Sequence, residues 1–322
     1  MPLPQRRSSA RRAGADGEQP APVDHHAEDR MKSPSPSKIR PPREGEAPAA
    51  AALVIGAYLR AMRFARGLSG SEAAWTIGCS DAKLSRLETG RLYRIADATE
   101  LLERYGIDDR PSLTAVEYLL QESHRHILSD HAPGWLDRLH ACLRQADTTV
   151  IYSSVSIPHV VRVPTYPTDI LTQRLRGGEP NRVHRASVTA DNGKGVTLLM
   201  DQLVLERLRS QPSVWSAQLS HLRQLATSAQ GPQILVVPVE AGVIPLSSLM
   251  YGMTLHGHDL VVQEGIGFVL YYTGDDAVQG RHFLQAALAA GVPFEQAAVY
   301  LDEGRARFTE AAAGLVSSRG RA

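Results

Sequence analysis

The chain has 322 residues, 43% hydrophobic and 21% charged, with a formal net charge of +1; that length suits roughly two domains with tails. The near-neutral balance argues against non-specific coating of nucleic acid but leaves room for one small basic surface. Two cysteines, Cys79 and Cys142, exclude a disulfide framework and fit a reducing cytoplasm, and no run reaches the ~18 apolar residues of a membrane span.

Residues 1–50 are rich in Pro, Ser, Ala, Arg and Glu, and Pro34-Ser35-Pro36-Ser37 and Pro41-Pro42 oppose regular structure, so a disordered tail is expected. Arg6, Arg7, Arg11 and Arg12 have no apolar segment behind them, so no secretion or export signal is expected. They could form a basic arm on phosphates, but interleaved acidic residues favour a solvated tail.

Residues 51–110 read as an all-α domain. Ile55, Leu59 and Met62 form one stripe of a helix over Val54–Arg66, with Arg60, Arg63 and Arg66 elsewhere. Gly67 ends it. A second helix begins at Ser71, carries Ala73, Ala74 and Ile77, and ends at Gly78. Cys79 and Ser80 make a tight turn into a third. Ser80 can cap that helix, Gly90 can close it in the left-handed conformation, and Leu84 and Leu87 share a buried face. Ala82, Lys83 and Arg86 fall towards the other face. Arginine can bond guanine bidentately, lysine reaches base edges or phosphate, and alanine permits close approach, so this face suits a DNA major groove. A glycine turn between the second and third helices is the helix-turn-helix arrangement. A fourth helix runs from Ile95 to Tyr105, with Leu101, Leu102 and Tyr105 inward.

Residues 111–308 read as an α+β domain. A helix through Val116, Leu119 and Leu120 reads as a hinge into it. His124, His126 and His131 raise a metal site, but no partner set of Cys or carboxylates follows, so a polar helix end is preferred and no metal is expected. Helices are expected from Trp135 to about Gln145, from Tyr166 towards Leu175, from Leu203 to Leu208 and over Ser216–Ala226. Strands are expected at Thr148–Val155, Val196–Met200 and Ile234–Val239, with three antiparallel strands at Gly252–His256, Asp259–Glu264 and Gly267–Tyr272. Helices at 275–290 and 294–308 close the chain, and 309–322 should be frayed. Gly265-Ile266-Gly267 lies between strands and is no dinucleotide loop. No nucleophile elbow, phosphate loop or zinc-protease motif is present, so neither an enzyme nor a cofactor is expected.

Residues 54–106 resemble the Xre-type, repressor-like helix-turn-helix domain. The resemblance is carried by Leu59-Arg60-x-x-Arg63, Gly67-Leu68-Ser69, Ala73-Ala74, Ile77-Gly78-Cys79-Ser80, Lys83-Leu84-Ser85-Arg86-Leu87-Glu88-Thr89-Gly90 and Tyr105-Gly106. The run Ser85–Gly90 is most similar to actinobacterial members. The resemblance implies that Arg63 pairs with Glu88 as a structural clamp. It places Ser80, Asp81, Ala82, Lys83, Ser85, Arg86 and Arg91 at DNA. Two departures stand out. Gly70 replaces a frequent phosphate-binding glutamine, and Asp81 favours the helix dipole but opposes phosphate unless it accepts from a cytosine amino group.

The later part, roughly 115–308, resembles the domain of unknown function found behind Xre-type modules in actinobacterial regulators. Gly134-Trp135, Ile157–Tyr166, Ser216–Leu222 and Ile234–Gly242 carry that likeness. It implies a developmental or antitoxin-like regulator working beside a small protein partner. The expectation is a cytoplasmic regulator of double-stranded DNA, at the nucleoid when bound, acting as a homodimer with the second domain supplying dimer or partner contacts. A ligand pocket near Trp135, Tyr166 and Tyr251 is a lesser expectation. The alternative is an antitoxin-like interaction module whose DNA binding serves autoregulation.

Overall fold

A computed structural model of the chain describes residues 46–91, 94–121, 125–166, 195–207, 212–241, 249–265 and 267–297. The tails at 1–45 and 309–322, the helix expected towards Leu175 and most of the helix expected at 294–308 lie outside them.

Five helices open the fold: α1 (Ala50–Ala65), α2 (Gly70–Thr76), α3 (Asp81–Glu88), α4 (Ile95–Arg104) and α5 (Arg110–Gln121). A mixed region follows, with β1 (Ile127–Asp130), α6 (Trp135–Gln145), β2 (Thr148–Ser153), β3 (Val196–Asp201), α7 (Gln202–Arg207), α8 (Pro212–Thr227) and β4 (Gln233–Val237). It ends with β5 (Leu249–Leu255), β6 (His258–Glu264), β7 (Val269–Tyr272), α9 (Val278–Ala290) and β8 (Val292–Pro293). The architecture is an all-helical N-terminal region followed by an α+β region. No helix among the described residues is long and apolar enough to cross a membrane.

The eight strands form one sheet in the order β1-β7-β6-β5-β2-β3-β4-β8. β2, β3 and β4 are parallel neighbours, and the other pairings are antiparallel. Alternation along the strands divides the core. Ile151, Leu198, Met200, Ile234, Val236 and Tyr251 join one buried cluster, whereas Tyr152, Leu199, Leu235, Val237 and Met250 join the other. Successive side chains point to opposite faces, so both faces are covered. α9 contributes Leu284 and Ala287 to the smaller cluster, and the N-terminal helices share the larger one with α6 and α8.

α1 differs most from expectation. It begins at Ala50, inside the segment read as tail, and every residue from Ala50 to Leu59 is buried. One apolar stripe needs one partner; this helix has several, because it packs on α3, α4 and α5 and also on α6 and β1. Leu53, Ile55 and Leu59 are fully buried, each contributing about 1.5–3 kcal/mol. Polar ties reinforce the packing. Gln145 Nε2 donates to Ala57 O at 2.6 Å, Ala50 N to Arg125 O at 3.2 Å, and Thr273 Oγ1 to Pro48 O at 2.9 Å. α5 is no free hinge either: it buries Leu113, Val116, Leu119 and Leu120 in the common core.

β1 and β8 are additional short strands. β1 is fixed to α6 by a buried ion pair, in which Arg138 Nε and Nη2 each reach an Asp130 oxygen at 2.7 Å.

Candidate nucleic-acid interface

The interface begins with how α3 is capped and held. Ser80 Oγ accepts from Lys83 N at 3.2 Å, satisfying a first-turn donor that would otherwise lack a partner. Gly90 closes the far end at φ +83°. α2 is set by Ser69 rather than Ser71: Ser69 and Glu72 bond reciprocally, at 3.2 and 2.7 Å, in a capping box. Ser71 is thereby freed, and its hydroxyl donates to Asp81 Oδ2 at 2.6 Å. That bond ties the starts of α2 and α3 together.

Behind α3 the backbones nearly touch. A Cβ at Gly56 would lie 2.7 Å from the Leu87 carbonyl oxygen and 2.8 Å from the Gly90 nitrogen. Leu84, Leu87 and Glu88 are the buried residues of α3. Arg63 grips Glu88 bidentately, Nε to Oε1 at 2.6 Å and Nη2 to Oε2 at 2.8 Å, and its Nη1 reaches Leu68 O at 2.9 Å. Hydrogen bonding to Glu88 outweighs burial and raises the Arg63 pKa above its ordinary value. Burial, with the Glu88 charge second, pushes the adjacent Tyr105 hydroxyl up as well.

The outward face carries Ser80, Asp81, Ala82, Ser85 and Arg86, all exposed, and Arg91 is exposed just beyond it. Lys83 departs from the expected pattern. It is half-buried, and its Nζ lies 3.0 Å from Asp97 Oδ1 on α4, whose side chain is 9% exposed. Its charge is therefore shared with a carboxylate, and it braces α3 against α4. Asp97, Ser71, Gly56 and Gln145 were not among the residues expected to shape the site. Of these, only Gly56 left a sequence signal, since glycine inside a helical pattern marks a close backbone approach.

Among the described residues, Trp135, Tyr166 and Tyr251 each have their own place in the packing. Trp135 is buried at the start of α6, Tyr251 OH donates to Glu264 Oε2 at 2.6 Å, and Tyr166 OH accepts from Ile157 N at 3.3 Å. His126 and His131 line an open hollow of about 740 Å³ with Tyr118 and Ile127; His124 is outside the described residues. Among the described residues, no three His, Cys, Asp or Glu side chains are grouped to hold a metal.

Two family models match the chain. One, described as a helix-turn-helix domain, covers residues 54–116, and the other, described as a domain of unknown function, DUF5753, covers residues 136–303. The first makes the N-terminal helices a DNA-binding module. No curated protein and no solved structure matches the chain.

Proposed function

The chain belongs to the DUF5753 family, with a helix-turn-helix domain ahead of that domain, and from that premise we propose a sequence-specific transcriptional regulator of the Xre type, akin to the actinobacterial members. The observation that carries this reading is α3 itself. Its outer face offers Ala82, Ser85 and Arg86, while the Arg63–Glu88 pair and the Gly56 contact fix it from behind. Arg86 bonds guanine, Ala82 allows close approach, and Arg91 meets phosphate. Ser80 sets the helix start, Asp81 shapes base preference from its bond to Ser71, and Lys83 positions α3 through Asp97. Residues 51–110 read DNA, and residues 111–308 regulate that reading.

The protein acts on double-stranded DNA in the cytoplasm, at the nucleoid when bound. A helix of eight residues reads few base pairs, so we assign a homodimer on half-sites about 34 Å apart. A small protein partner of the α+β region is supported by Val155, Leu203 and Val239, each about half exposed and each two residues beyond the end of adjacent parallel strands β2, β3 and β4.

In vitro selection of duplexes by the full chain, followed by gel-shift titration, tests the reading. A defined motif whose preference Arg86→Ala relaxes is the expected result; indifference to sequence overturns it. Light scattering of the DNA complex checks the dimer, and a single bound chain contradicts it.

A further inference from the structure

We propose that two copies of this chain meet along the outer edge of β1, with Ile127 of each lying across a two-fold axis from Ser129 of the other. The proposal rests on the homodimer reading and gives that dimer its interface.

The sheet ends in β1 on one side and β8 on the other. A free strand edge presents unpaired N–H and C=O groups, and it templates further pairing unless it is very short, charged or interrupted by proline. β8 is protected in that way: it has two residues, and one of them is Pro293. β1 is not. Its four residues are Ile127, Leu128, Ser129 and Asp130, without lysine or proline, and Asp130 is turned inward to Arg138.

The register shows which groups this edge offers. Ile127 stands opposite Tyr272 in the antiparallel β1–β7 pair, and just before it Thr273 N donates to His126 O at 2.8 Å. Bonded and non-bonded pairs alternate along an antiparallel ladder. His126, Leu128 and Asp130 therefore turn their backbone groups to β7. Ile127 and Ser129 turn theirs outward, where no strand pairs with them among the described residues. The side chains of both are exposed, and both residues line the open hollow of about 740 Å³. A four-residue strand fills roughly 630 Å³, at about 3.3 Å per residue, 4.8 Å between strands and 10 Å of sheet thickness. The hollow has room for one added strand.

Shape, charge and area favour a second β1 as that strand. When an antiparallel two-fold passes beside Leu128, the outward residues coincide: Ile127 meets Ser129 of the second copy, the pair exchanges both N–H···O bonds, and a large side chain lies beside a small one. Symmetry repeats the contact, as an isologous interface requires. Ile127 is 44% exposed and Tyr118 is 50% exposed. Tyr118 stands edge-on to His131, and across such a pair His131 of one copy is the diagonal neighbour of Ile127 of the other. Apolar surface that is bare in one chain is thereby covered in two. The charges also match. Glu46 and Asp276 line the hollow on segments tied to the Ile127 end of β1, through Ala50 with Arg125 and Thr273 with His126. Arg125 is the one guanidinium beside these two carboxylates in the lining, and His131 stands at the opposite end. The two-fold brings each His131 to the acidic end of the other copy. The area sets the strength. Two four-residue edges bury less than the ~1,200–2,000 Å² of a stable interface, so free chains associate weakly, and an operator with two half-sites completes the dimer by raising their local concentration.

The test is sedimentation of the full chain over a concentration series, alone and on duplexes carrying one or two half-sites selected in vitro, with hydrogen exchange at the Ile127 and Ser129 amides. The unaltered chain should shift towards dimer as concentration rises, slow its exchange at both amides as it does so, and bind two half-sites cooperatively. Ser129→Pro removes an outward N–H that β7 does not use, and Ile127→Lys puts a charge on the edge. Each variant should keep its melting temperature and its affinity for a single half-site while losing the dimer and the cooperativity. Ser129→Glu added to Ile127→Lys sets opposite charges across the axis and should restore both. If the single variants dimerise as well as the unaltered chain, this interface is overturned and the homodimer reading survives. If the unaltered chain binds two half-sites independently and never dimerises, both fail. Amides protected at every concentration in a monomer would mean that a segment of the same chain covers the edge, and amides open at every concentration would leave it to another protein; either result overturns the proposal.

Discussion

α1 buries every residue from Ala50 to Leu59, whereas α3, two elements later, buries only Leu84, Leu87 and Glu88. α1 lies between the DNA-binding helices and α6, so it belongs to two packing units at once. α3 meets the rest of the protein along one edge and leaves its other face exposed. Changes behind α3 should therefore unfold the chain, and changes on its outer face should alter only DNA binding.

The largest predicted effect is at the clamp between these helices. Glu88→Ala leaves Arg63 buried without its counter-charge, which costs on the order of 3–5 kcal/mol. The melting temperature of the whole chain, not only DNA affinity, should fall. Lost DNA binding with unchanged melting would make Glu88 a contact residue. Asp130→Ala strands Arg138 in the same way within the α+β region and should lower that same transition by a similar amount. A second, unshifted transition in either variant would separate the two regions.

Gly56→Ala comes next. Its Cβ would meet backbone at 2.7 Å, and overpacking of this kind costs roughly 1–3 kcal/mol, partly offset by alanine's better helix propensity. Calorimetry should show a lowered melting temperature, with weakened operator binding as α3 is displaced. A more stable variant would show that α1 and α3 can separate freely.

Arg86→Ala should cost roughly 1–3 kcal/mol of specific binding and leave melting unchanged, since Arg86 is exposed. Gel-shift and calorimetry on one preparation check both halves. Lys83→Ala has the smallest effect. Its side chain is 36% exposed, so its pair with Asp97 is worth at most about 1 kcal/mol of stability. A loss of binding as large as that of Arg86→Ala would return Lys83 to the groove.

These differences explain what the sequence could disclose. α3 was legible because its determinants are local: Ser80 at one end, Gly90 at the other, Leu84 and Leu87 three apart. The same holds for α4, α6 and the antiparallel β5–β6–β7 run, where turns and periodicity agree. The second buried side of α1 was not legible, because its cause is α6, far along the chain, through contacts such as Gln145 with Ala57, 88 residues apart. Lys83 looked free because Asp97 sits on another helix. β1 and β8 span four and two residues, too short to show a period. The parallel pairing of β2, β3 and β4 was hidden because strands buried on both faces lose their alternation.

The central claim is that the DNA-binding helices and the sheet share one core through α1. Native-state hydrogen exchange of the full chain tests it most directly, by comparing opening free energies of amides in α1 with those in β2 and β5. One common value, lowered equally in both places by Glu88→Ala, is the predicted result. Exchange of α1 through a separate, lower-energy opening while β2 and β5 stay protected would contradict it.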